Sequence, residues 1–186
     1  MNVRMYLAAA VAALACCPMT GAQAQDLTGS TVSLAAYCCT MPTEEDRATA
    51  LLTAVVGPGV EFPEGSLVSR IPGLDPVPVT IDVGASTIDI DYASGGVTAP
   101  GGFNGFVFSF TGAPAIAGVS VDPSSTYTPV VSFEGNSIFV NEAGLTLTAD
   151  SRALINVTPV PEPEIYAMML GGLGLVSALA SRRRHK

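Results

Sequence analysis

Residues 77–92 read VPVTIDVGASTIDIDY. Val77, Val79, Ile81 and Val83 alternate with Pro78, Thr80 and Asp82. After a Gly-Ala-Ser break, Ile88, Ile90 and Tyr92 alternate with Asp89 and Asp91. Side chains of a strand point to opposite faces in turn, so strict period two predicts two strands, each with one buried face. A surface helix would instead space its apolar residues by three and four.

The same pattern extends outward in both directions. Ser30 to Tyr37, STVSLAAY, puts Val32 and Leu34 on one face. FNGFVFSFTG at 103–112 stacks Phe106, Phe108 and Phe110 on one face, the expected centre of the core. From Thr128, TPVVSFEGNSIFV places Gly135-Asn136 between two short apolar runs, a hairpin turn signal. Gly and Pro punctuate the rest: GPG at 57–59, PG at 72–73, GG at 95–96 and PGG at 100–102. Short strands with such breaks predict an all-β fold, an antiparallel β-sandwich with a jelly-roll-like arrangement. Thr43-Glu44-Glu45-Asp46, leading into RATALLTAVV, is the one helical candidate, because acidic and capping residues favour a helix start.

The N-terminus has a different character. Arg4 precedes an apolar stretch from Met5 to Cys17, and a polar region ends in Ala22-Gln23-Ala24. These are the three parts of a secretory signal peptide, so residues 1–24 are expected to be removed by signal peptidase after Ala24. Leu14-Ala15-Cys16 is the alternative, a lipoprotein site, but Ala13 stands where a large aliphatic residue is usual. Residues 25–158 then form one exported β-rich domain, since the length suits one domain and not two.

Between Gln25 and Val160 fourteen acids face three bases, Arg47, Arg70 and Arg152, a balance of about −11. Such a surface repels phosphate backbones and argues against nucleic acid as a partner. Trp is absent, which removes the best stacking platform for sugars or bases. In the domain only Cys38 and Cys39 remain. Neighbouring Cα atoms lie about 3.8 Å apart, closer than an ordinary disulfide prefers. A vicinal disulfide and a pair of free thiols therefore both stay open for an oxidising compartment.

The chemistry available to the domain is narrow. The single histidine is His185 and the single lysine is Lys186, both in the C-terminal tail. The domain thus lacks the residues for Ser-His-Asp or Cys-His catalysis, for a histidine zinc site and for a Schiff base. No cofactor is expected. Asp82, Asp89 and Asp91 are weak Ca²⁺ candidates through oxygen ligands, and Asp89 with Asp91 could serve a two-carboxylate hydrolase. The plainer reading makes them the solvated face opposite Ile88 and Ile90. Asn156-Val157-Thr158 matches a glycosylation pattern without further support.

The C-terminus ends VPEPEIYAMMLGGLGLVSALASRRRHK. Residues 165–181 are apolar and uncharged, and at 1.5 Å per residue they make a helix of roughly 25 Å, near the lower limit for a membrane span. The basic stop Arg182, Arg183 and Arg184 stays cytoplasmic, which places the domain on the far side of the membrane. Pro161 and Pro163 hold the preceding chain extended, open to a processing enzyme.

This tail, residues 159–186, resembles the PEP-CTERM sorting signal of Gram-negative bacteria. The resemblance rests on Val160-Pro161-Glu162-Pro163, the glycines 171, 172 and 174, and the closing arginines. It implies recognition by an exosortase, an inner-membrane intermediate, and release to the cell surface or extracellular matrix. It also implies a setting rich in biofilm and exopolysaccharide. In the family that it resembles, the C-terminal region has also carried an ice-binding protein C-terminal-like label, and a sorting tail alone implies no ice binding. The expected role is structural or adhesive and non-enzymatic. A Ca²⁺-dependent or partner-binding module is the alternative, and a small carboxylate hydrolase a third.

Overall fold

The computed structural model describes residues 26–73, 76–160, 169–174 and 176. Eleven strands form among them: β1 (Thr31–Tyr37), β2 (Leu52–Val55), β3 (Val79–Val83), β4 (Thr87–Tyr92), β5 (Gly96–Val97), β6 (Gly105–Thr111), β7 (Ile116–Val121), β8 (Val130–Glu134), β9 (Ser137–Asn141), β10 (Thr146–Leu147) and β11 (Arg152–Pro159). They pair antiparallel into a five-stranded sheet, β2-β1-β6-β9-β8, a four-stranded sheet, β3-β4-β11-β7, and a small ribbon, β10-β5.

The alternating patterns decide which face goes inside. Val32, Leu34, Phe108, Ile138 and Val140 of the first sheet are fully buried. They share one cluster with Ile81, Val83, Ile88, Ile90 and Ile155 of the second. Burying one such side chain stabilises by about 1.5–3 kcal/mol, so this shared layer holds the two sheets together. Phe108 lies at its centre between Leu34 of β1 and Ile138 of β9 in the register. Phe106 and Phe110 flank it on the same face, both nearly buried.

Several details depart from expectation. β3 begins at Val79 rather than Val77, in keeping with Pro78, which has no N–H for a ladder. The segment expected to open a helix does not. Thr43 to Asp46 closes a turn, with the Asp46 N–H donating to the Thr43 carbonyl at 3.1 Å. Leu52–Val55 is β2 and covers the outer edge of β1, Thr31 opposite Val55 through Leu34 opposite Leu52. Sheet pairing satisfies that edge's backbone groups and outweighs the weak preference of an acidic start for helix. The strand order also differs from a jelly roll, which is built from two Greek keys. Here β1–β2, β3–β4 and β8–β9 are direct neighbours. The β8–β9 hairpin turns at Gly135, whose φ of +56° suits a glycine.

The last strand, β11, is central in its sheet, between β4 and β7. Beyond it the Val160 N–H donates to the Ala115 carbonyl at 2.7 Å. Residues 169–174 and 176 are helical, with Met169, Leu170, Leu173 and Val176 exposed. The remainder of the expected span 165–181 lies outside the described residues. No helix among the described residues is long and apolar enough to cross a membrane.

Candidate functional site

Ile138 and Val140 point inward from β9, and the same phase carries Glu142, just past the strand end, to the inside. Glu142 is 2% exposed. Its Oε2 accepts from the Tyr92 hydroxyl and its Oε1 from the Tyr127 hydroxyl, each at 2.6 Å. Tyr92 closes β4, while Tyr127 comes from the loop between β7 and β8; their rings meet edge to face at 5.9 Å.

The backbone of Glu142 is held as firmly as its side chain. Its N–H donates to the Asn104 carbonyl at 2.7 Å, and its carbonyl accepts from the Thr98 hydroxyl. Gly105 permits this approach. It sits at φ +154°, and a Cβ there would stand 2.1 Å from the Val140 carbonyl oxygen.

Burial pushes the Glu142 carboxyl up to about 7, against the opposing pull of the two tyrosine hydrogen bonds. Burial, and then the neighbouring Glu142 charge, pushes both tyrosine hydroxyls up as well, so they remain protonated donors. Among the described residues no cation balances this carboxylate: Arg47 and Arg70 pair with Glu44, and Arg152 with Asp89.

Glu142 and Tyr92 line a cavity of about 230 Å³. The ends of β1 and β4, the start of β6, and the β5–β10 ribbon bound it. Its walls are mainly apolar, with Ala36, Leu67, Val77, Val97, Phe106 and Leu147, and Thr49, Thr98 and Asn104 supply polar groups. A mostly apolar pocket with a few convergent polar groups is the usual form of a small-ligand site.

The residues singled out from the sequence lie elsewhere, apart from Cys38, which lines the same cavity. Cys38 and Cys39 are joined by a disulfide, their Cα atoms 3.7 Å apart. Their turn rests against residues 101–103; the Cys39 N–H donates to the Phe103 carbonyl at 2.7 Å. Asp82 and Asp89 are opposite one another on β3 and β4. Partial burial, then Glu61, pushes the Asp82 carboxyl up. Asp89 is already engaged by the Arg152 guanidinium, at 2.8 Å from Nε and 2.5 Å from Nη2. Asp91 is exposed. No group of three His, Cys, Asp or Glu among the described residues could hold a metal ion, so the Ca²⁺ candidates do not assemble. Asn156 lies within β11 and donates to Asp122 at 3.0 Å, tied to the sheet rather than held on a loop.

Of the sorting tail, Val160 is described and exposed. Pro161, Glu162, Pro163, Arg182, Arg183 and Arg184 lie outside the described residues, as do Ala22 and Ala24 of the expected signal peptide.

Sequence reading missed Glu142 and Tyr127. The signal for Glu142 was present in the Ile138-x-Val140-x-Glu142 phase, which continues the buried register through an acid. Tyr127 had no such signal, because only the folded chain brings its loop to Glu142.

Among the curated proteins and the solved structures, nothing matches the chain. The family model of the PEP-CTERM protein-sorting motif matches residues 159–184. The match opens at the last residue of β11, so the motif follows directly on the sandwich. The similarity of residues 159–184 to the PEP-CTERM protein-sorting motif implies that this chain is exported and processed by an exosortase.

Proposed function

We propose that this chain is a non-enzymatic structural or adhesive protein of the cell surface or extracellular matrix, in a Gram-negative bacterium that makes exopolysaccharide. Signal peptidase removes residues 1–24, the apolar run 165–181 holds the chain in the inner membrane, and an exosortase then releases the domain. One observation carries the reading: the sorting motif starts where the central strand β11 ends. Trimming within the tail would leave all eleven strands in place. The carboxylates that a hydrolase would need also support it, since Asp89 is neutralised by Arg152.

The test changes Pro161, Glu162 and Pro163 to alanine in the full chain and follows a C-terminal tag by blot. Alanine favours helix where proline opposes it, so the extended presentation is lost while the apolar run stays. The variant should remain tagged in the membrane fraction. Equal trimming and release of variant and parent would sink the sorting account. For the matrix role, a strain lacking the chain should form biofilm of reduced cohesion; unchanged cohesion would remove that role.

A further inference from the structure

We propose that the cavity beside Glu142 is a binding site for a small organic ammonium ion, an alkylammonium with a short apolar body. Three observations converge. The first is shape: the cavity holds about 230 Å³. Benzene fills an engineered apolar cavity of about 150 Å³, so a ligand of similar or slightly larger size fits here.

The second is the lining. Tyr37, Tyr92 and Phe106 all contribute to the wall, and aromatic faces attract ammonium ions more strongly when water is excluded. The third is the carboxyl. Glu142 is buried at 2% exposure and takes one hydrogen bond on each oxygen, from Tyr92 and Tyr127. The described residues provide no arginine or lysine to balance it. A buried carboxylate without a cation is costly, and a cationic ligand would offset that cost. The fixed tyrosine donors and the pinned backbone hold the carboxylate in place before any ligand arrives.

The test is calorimetric titration of the full chain, in a neutral maltoside detergent, with choline and with its uncharged isostere 3,3-dimethyl-1-butanol. Choline should bind at least about tenfold more tightly than the isostere, a difference of about 1.4 kcal/mol. Glu142→Gln should remove that preference while leaving isostere binding unchanged. Tyr37→Leu, which leaves Glu142 and its tyrosine donors in place, should weaken choline several-fold; it stands as the second variant if Glu142→Gln does not fold. Phosphocholine distinguishes the source: binding as tight as choline assigns the ammonium to a lipid headgroup, and weaker binding assigns it to a free ion. Equal binding of choline and the isostere, or no binding of either, would overturn the proposal.

Discussion

Replacing Glu142 by glutamine tests the buried carboxyl directly, because the side chain keeps its shape and loses its titration. Burial raises the folded-state pKa to about 7 from an ordinary 4.5. Between those values the folded chain holds a proton that the unfolded chain has released. Stability must therefore fall as pH rises through this window, by up to about 1.4 kcal/mol per pH unit. The stabilisation is fully present below about 4.5 and lost above about 7, in total roughly 3 kcal/mol. In urea, with a slope of about 1–3 kcal/mol per molar, the midpoint should drop by about 1–3 M across that range.

Other groups do not obscure the result. Tyr92 and Tyr127, which face Glu142, stay protonated throughout. Asp82 is shifted upward and Asp122 downward from 3.8, and both act equally in parent and variant. The assay is urea unfolding of the full chain at half-unit pH steps from 4 to 8, under non-reducing conditions that keep Cys38–Cys39 intact. The parent-minus-variant curve should slope downward between about 4.5 and 7 and flatten above. A flat difference curve across that window would show that Glu142 titrates as a solvated carboxylate, and the reasoning about its burial would fail.

Two further outcomes follow from packing. Phe108→Ala, at a fully buried position between the sheets, should cost about 3–5 kcal/mol in chemical unfolding, and a neutral result would place its ring outside the core. Gly105→Ala should cost at least about 1–3 kcal/mol, because its new Cβ would meet the Val140 carbonyl at 2.1 Å; it should also disturb Glu142, read as a loss of the pH slope in the same unfolding series.

The period-two alternation and the turn residues carried the fold class, because strand faces are a local property of the chain. Val32, Leu34, Ile81, Ile88, Ile90 and Phe108 all lie inside as their alternation predicts. The sorting motif was equally legible, since a processing enzyme reads it as a linear segment. Where local preference and long-range pairing competed, the sequence misled. The acidic start at Thr43 suggests a helix, yet the open edge of β1 draws Leu52–Val55 into the sheet. Asp82, Asp89 and Asp91 read mainly as the solvated face of their strands; what the sequence did not show is that Arg152, opposite Asp91 in the register, reaches diagonally to Asp89.

The buried site depended most on tertiary structure. Tyr92, Tyr127 and Glu142 are separated by 15 to 50 residues in the chain. Sequence pattern determined that Glu142 points inward. Only the packing of β4, the β7–β8 loop and the end of β9 decided that two hydroxyls would meet its carboxyl, with no cation among the described residues to balance it. The physical reason is that burial and charge balance depend on neighbours in space, whereas alternation depends on neighbours in sequence.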